Sequence, residues 1–118
     1  MARILIVDDE ESVRKFLKEC LEIAGHQVSV AEDGNKALKS HLQNPADLIL
    51  MDLLMPEKEG IETIIELRRS YPKVKIIAIS GTTLVNLKTA RILGADAAFQ
   101  KPVDNELLIK TIDSLLKN

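Results

Sequence analysis

Aromatic side chains are scarce in this 118-residue sequence, which has no Trp, one Tyr and two Phe. A nucleic-acid surface built on base stacking needs more than that. An excess of either charge is also lacking: 16 Lys and Arg stand against 18 Asp and Glu, a net charge of −2, so no global field gathers a polyanion. The single cysteine, Cys20, rules out an internal disulfide and suits a reducing compartment. Apolar runs are roughly 4–6 residues long, far short of the ~20 that span a bilayer. Two acids at Asp8 and Asp9 come too early for a signal peptide. There is no repeat, low-complexity tract or Gly/Ser-rich linker. The expectation is a cytoplasmic protein with no membrane partner and no direct nucleic-acid partner.

What the sequence does contain is enough apolar material for a core. With 46% hydrophobic and 29% charged residues, its 118 residues suit one domain, 1–118. Short β-branched runs alternate with longer helical patterns. The runs are 4–7, 27–31, 47–51, 74–79 and 97–99. Three of them are almost continuously apolar, as parallel strands covered on both faces should be. In residues 11–24, Val13, Phe16, Leu17, Cys20 and Ala24 follow the spacing of one helix face, which makes Cys20 a buried small hydrophobe. A second helix is expected from an N-cap at Asp33 to a stop before Pro45, and a third over 58–70, ending before Pro72. A fourth runs over 83–93 and stops at Gly94; a fifth follows Asp104. Five strand–helix repeats predict an α/β (βα)5 fold, a doubly wound five-stranded parallel sheet of flavodoxin-like order 2-1-3-4-5.

Polar residues follow the apolar runs at one end. Asp8-Asp9 close the first strand, Asp52 the third, Ser80 the fourth and Gln100-Lys101 the fifth. In a parallel sheet all carboxyl ends share an edge, and ligands bind there where the strand order reverses. Three acids, a hydroxyl and an ammonium therefore converge. Closely spaced carboxylates repel one another, and a hard divalent cation relieves this. Oxygen-only ligands favour Mg²⁺ over Zn²⁺. A metal, a hydroxyl and a lysine around one further carboxylate can handle a phosphoryl group, with Asp52 as nucleophile. Each residue alone has a plainer reading. Asp8-Asp9 could cap a helix, Asp52 and Ser80-Gly81 could form turns, and Lys101 could be a solvated charge. Four strand ends with compatible chemistry decide for the site. His26 and His41 are expected at the surface with no role, and Met51 and Met55 as packing around Asp52.

The ordered set ILIVDDE, DLILMDLLMP, IIAISG and FQKP resembles the receiver domain of two-component response regulators, such as the chemotaxis regulators, over essentially the whole chain. The resemblance implies that Asp52 is the phosphoacceptor, Asp9 a direct Mg²⁺ ligand, Asp8 a ligand largely through water, and the Leu54 carbonyl the last protein ligand. It implies that Ser80 is the switch hydroxyl, Lys101 the phosphate-pairing cation and Lys101-Pro102 a cis peptide. The phosphoryl donor would be a phosphohistidine of a sensor histidine kinase or histidine phosphotransfer protein. A downstream protein, or a second copy in a homodimer, would read out a surface of helix 4, strand 5 and helix 5. There Leu84, Val85, Leu87, Ile92 and Leu93 supply more apolar residues than one buried stripe requires. The family's switch aromatic, three residues before the lysine, is replaced by Ala98; Phe99 should point to the opposite face.

Two other functions use similar parts. A haloacid dehalogenase-type phosphatase also has an Asp nucleophile and Mg²⁺, but places that Asp at the end of strand 1 in an Asp-x-Asp arrangement, where this chain has Asp8-Asp9-Glu10. A receiver-like docking module would work without phosphorylation. An FMN site is disfavoured by an acidic first loop where a flavin phosphate needs amides and hydroxyls. No room for an output domain remains between the fifth helix and Asn118, so either a stand-alone regulator or a receiver from a longer protein is expected.

Overall fold

The five apolar runs form β1 (Arg3–Val7), β2 (Gln27–Ala31), β3 (Leu48–Asp52), β4 (Lys75–Ser80) and β5 (Ala97–Gln100). Between and after them lie α1 (Glu11–Ile23), α2 (Gly34–Gln43), α3 (Glu57–Ser70), α4 (Leu84–Leu93) and α5 (Asn105–Leu116). The structure is a computed structural model that describes residues 2–53, 57–81 and 84–117, with side chains apart from those of 57–59 and 84–87.

All strand pairs are parallel, in the order β2-β1-β3-β4-β5 that the repeat pattern predicts. Burial follows position in the sheet. The central strands β1, β3 and β4 are buried almost throughout, whereas the edge strands β2 and β5 are largely half-buried or exposed. A central parallel strand has helices on both faces, so both sets of its alternating side chains must be apolar. The two faces build two cores. On one, Leu5, Ile49, Met51, Ile76 and Ala78 pack with Ala37 of α2, Ile64 and Leu67 of α3, and Ala90 of α4. On the other, Ile4, Ile6, Leu48, Leu50 and Ile77 pack with Leu21 of α1 and with Leu108 and Ile112 of α5. Each such Ile or Leu side chain contributes roughly 1.5–3 kcal/mol when fully buried.

Local chemistry starts and stops the helices as expected. Asp33 caps α2 by accepting from Lys36 N–H at 2.8 Å, and Asp104 caps α5 by accepting from Glu106 and Leu107 N–H. Gly94 ends α4 with φ +137°, a conformation that favours glycine. Gly60 serves close approach instead. A Cβ there would lie 2.8 Å from Leu53 Cδ2, so α3 presses onto the backbone that leaves the end of β3.

The structure corrects two expectations. The α1 stripe is rotated: Leu21 is its one buried residue, Cys20 is half-buried, and Phe16 is 53% exposed. The core side of α1 is set by its packing with α5 and the sheet, where Leu17 and Leu21 join Leu108 and Ile112, and spacing cannot report that. Neither histidine is a surface residue. His41 is buried, accepts Ala46 N–H on Nδ1 at 3.0 Å, and meets Tyr71 edge-on at 4.4 Å between centroids. The His26 side chain is also buried; its Nδ1 accepts Ala2 N–H, and Nε2 lies 3.7 Å from Asp113. Ile92 on α4 is 82% exposed, and the side chains of Leu84, Val85 and Leu87 lie outside the described residues. Among the described residues no helix is long and apolar enough to cross a membrane.

Candidate functional site

Register brings the acids together. Val7 pairs with Met51 and Asp52 pairs with Ile79, so Asp8 and Asp52 leave adjacent strands at the same rim. Asp8 does not cap α1: the N-cap is Glu10 and makes no side-chain cap bond. Instead Asp8 Oδ1 accepts Glu10 N–H at 2.8 Å, which turns the carboxylate back over the strand ends. Asp8 N–H donates to Ala31 O at 3.1 Å, and Arg14 Nη1 donates to the Asp8 carbonyl at 2.7 Å. Carboxylate atoms of Asp8, Asp9 and Asp52 all lie within 4.8 Å of one another, with Asp8 buried, Asp52 half-buried and Asp9 exposed.

Lys101 reaches the same place from β5. Its Nζ donates to Asp52 Oδ2 at 2.9 Å and lies 3.9 Å from Asp8 Oδ2. The backbone helps, because Lys101 N–H donates to Ser80 O at 2.9 Å and ties the loop after β5 to the end of β4. The peptide before Pro102 is cis, as the resemblance implies. Ser80 is fully buried at the end of β4, beside the strand that carries Asp52.

The electrostatics are unbalanced. Burial pushes the Asp8 carboxyl up to about 7; its hydrogen bond with Asp52 and the charge of Asp52 push the same way, against Glu10 N–H and Lys101. Burial lowers the Lys101 ammonium, but the bond to Asp52 and the charges of Asp52, Asp8 and Glu10 outweigh it, and the net shift is upward. Among the described residues one ammonium, that of Lys101, stands against three carboxylates, so a second positive charge would be stabilised here. The donors are all oxygen and one is solvent-accessible, which fits a hard divalent cation that keeps several waters. The call on the Leu54 carbonyl lies outside the described residues, as does that on Met55; Met51 is buried in the core as expected.

Side-chain alternation around the lysine also holds. Ala98 packs with the core under α3 and α4, and Phe99 with the core under α1 and α5. Ser80, two residues after Ala78, shares the Ala98 face.

Sequence reasoning missed a groove of about 570 Å³ that opens beside the rim between α1 and the loop before α5. Val13, Phe16 and Val103 form its walls, and Asp8, Asp52 and Lys101 its polar end. It also missed Arg14. The signal was a basic residue one turn into the helix that follows the acidic pair.

The response regulator receiver domain family matches residues 4–113. The transcriptional regulatory protein CpxR of Klebsiella pneumoniae is 36% identical over 99% of this chain and 50% of its own length. The response regulator MprA of a Mycobacterium species is 33% identical over 98% of this chain and 50% of its own. This chain thus spans about half the length of these curated relatives. A CheY-like receiver domain protein of Methanospirillum hungatei has the same fold, with a TM-score of 0.92 at 31% identity, over 99% of this chain and 94% of that one.

Proposed function

This chain belongs to the response regulator receiver domain family, and on that premise we propose that Asp52 accepts a phosphoryl group from a phosphohistidine of a sensor histidine kinase or histidine phosphotransfer protein. The observation that carries this reading is the 2.9 Å contact of Lys101 with Asp52, made beside two further carboxylates that leave a cation's charge wanting.

The Asp52 oxygen attacks phosphorus in line, a P–O bond forms, and the P–N bond to the donor imidazole breaks with its electron pair, so the ring leaves and takes up a proton. The product is an acyl phosphate on Asp52. Lys101 then pairs with a phosphoryl oxygen as charge moves onto it, and Ser80 offers a hydroxyl to another. Asp9, Asp52 and the Leu54 carbonyl, with Asp8 largely through water, would hold a magnesium ion, which would supply charge neutralisation. Water later attacks phosphorus, releasing inorganic phosphate and restoring the carboxylate. The chain thus catalyses only its own phosphorylation and dephosphorylation.

Phosphate on Asp52 biases two conformations of the α4–β5–α5 surface, read by a downstream protein or a second copy. Ile92 and Leu107, 82% and 51% exposed, support that surface. Ala98 packs with the core that includes Ala90 of α4, so the family's switch aromatic is absent from that face. The expectation of no nucleic-acid contact is not retained, since one relative is a transcriptional regulatory protein of which this chain matches only half. Family membership disfavours the phosphatase and docking-only readings.

The test is intact-mass spectrometry after incubation with Mg²⁺ and acetyl phosphate. One covalent phosphate per chain is expected, and none in Asp52→Asn. Sustained hydrolysis of varied phosphomonoesters would return the phosphatase reading.

A further inference from the structure

The peptide that joins the two adjacent acids is gripped from outside. Its carbonyl, that of Asp8, accepts from Arg14 Nη1 at 2.7 Å, while its N–H belongs to Asp9. A peptide unit is planar, so orienting its carbonyl orients the N–H and sets the direction in which the next Cα departs. The two acids need this to different degrees. The Asp8 side chain has its own anchors, in Glu10 N–H at 2.8 Å and in the Asp52 and Lys101 groups around it. Asp9 is exposed, and no hydrogen bond or ion pair of its carboxylate exists among the described residues. Its direction is therefore inherited from the main chain. Among the described residues, the main chain of Asp8 is held at two points, its N–H on Ala31 O at 3.1 Å and its carbonyl under Arg14.

We propose that Arg14 is a positioning residue for the divalent-cation site: by clamping the Asp8–Asp9 peptide it fixes the angle between the two carboxylates, and so pre-pays the ordering that cation binding requires. The inference rests on the assignment of Asp8 and Asp9 as cation ligands. A guanidinium suits the task because it is always charged and rigid, and the α1 backbone at Arg14 is itself fixed by the bond of its N–H to Glu10 O at 3.1 Å. The clamp and the loop thus belong to one turn of chain, from Asp8 to Arg14. Residues outside the ligand set that orient ligands in this way typically change metal affinity by about 10–100-fold when removed.

Calorimetric titration of the unphosphorylated protein with MgCl2 tests this without relying on activity. In Arg14→Gln the Mg²⁺ Kd is expected to weaken about 10-fold, with Arg14→Lys in between, because an ammonium can reach the carbonyl but holds it by a single flexible contact. In acetyl phosphate reactions the half-saturating Mg²⁺ concentration should rise by the same factor, while the maximal rate at saturating Mg²⁺ stays within about 2-fold. A folded Arg14→Gln with an unchanged Kd overturns the proposal. So does a fall in maximal rate with no change in half-saturation, which would place Arg14 elsewhere in the chemistry. Should Arg14→Gln not fold, an Arg14→Lys Kd equal to that of the unaltered chain overturns it equally. Failure of the unaltered chain to bind Mg²⁺ would instead sink the ligand assignment, and this inference with it.

Discussion

Two ion pairs of the same length do opposite work. Lys101–Asp52 and Arg68–Asp96 each close at 2.9 Å, and each cation is about one quarter exposed. Arg68, at the end of α3, is saturated. Its guanidinium donates to Gly94 O from two nitrogens, to Pro72 O, to Val74 O and to Asp96 Oδ2. Asp96 in turn accepts Ile76 N–H at 2.8 Å. One charge of each sign meets matched donors and acceptors, and the ends of α3 and α4 are tied to the starts of β4 and β5. At the opposite rim the Lys101 ammonium is, among the described residues, the one set against the acids Asp8, Asp9 and Asp52, and burial, helped by the neighbouring Asp52, pushes the Asp8 carboxyl up to about 7. A matched pair holds the fold together; the cluster, with its surplus of acids, suits a hard cation.

Removing the satisfied pair should cost the most. Arg68→Met leaves three carbonyls and a carboxylate without their donor and is expected to destabilise by about 3 kcal/mol, read by urea unfolding, with Mg²⁺ affinity unchanged. A change in Mg²⁺ affinity there would break the division between the two regions. Lys101→Ala should lower acetyl phosphate-dependent phosphorylation roughly 100-fold while leaving the fold intact, read by intact-mass time courses and circular dichroism. Loss of the fold would mean that the rim, too, is structural.

The Asp8 shift sharpens the contrast through pH. Its folded-state carboxyl holds a proton more tightly than the unfolded one, so the folded state binds more protons between pH 3.8 and about 7, and stability falls as pH rises through that window. Asp8→Asn in the absence of divalent cation should therefore be more stable than the unaltered chain at pH 8, by on the order of 2 kcal/mol, and lose that advantage near pH 4. Added Mg²⁺ should raise the Tm of the unaltered chain at pH 8 and do so far less in the variant. The smallest effect concerns His41, whose imidazole is lowered by burial. Its unfolded state takes up protons first, so stability is lost as pH falls below about 6.5. In an Asp8→Asn background this slope should be worth less than about 1 kcal/mol and should flatten in His41→Gln, read from Tm against pH.

Legibility differed with the kind of information. Ile4 to Val7, Leu48 to Met51 and Ile76 to Ile79 announced central strands because both faces of such a strand demand apolar residues. Asp33, Asp104 and Gly94 announced helix ends because caps are local chemistry. Asp8, Asp9, Asp52 and Lys101 were legible as a group only through the rule that parallel strands share a carboxyl edge. The buried His41 was not legible, since a lone histidine on a mixed polar and apolar helix reads as solvated until α2 is laid against Tyr71. Nor was the turn of α1: Phe16 and Leu17 are adjacent apolar residues, and which of them faces the sheet depends on how the helix lies against α5.

What the sequence alone determined, then, was order and chemistry. Alternating runs of period two and 3.6 specify strand and helix, and residue types at the run ends specify an anionic, hydroxylic and cationic rim. Tertiary structure alone decided distance and balance. Only when β1 lies between β2 and β3, and β4 between β3 and β5, do carboxylates 44 residues apart fall within 4.8 Å, with the Lys101 ammonium 2.9 Å from Asp52. Charge frustration is a property of separation and burial, and neither exists along an unfolded chain.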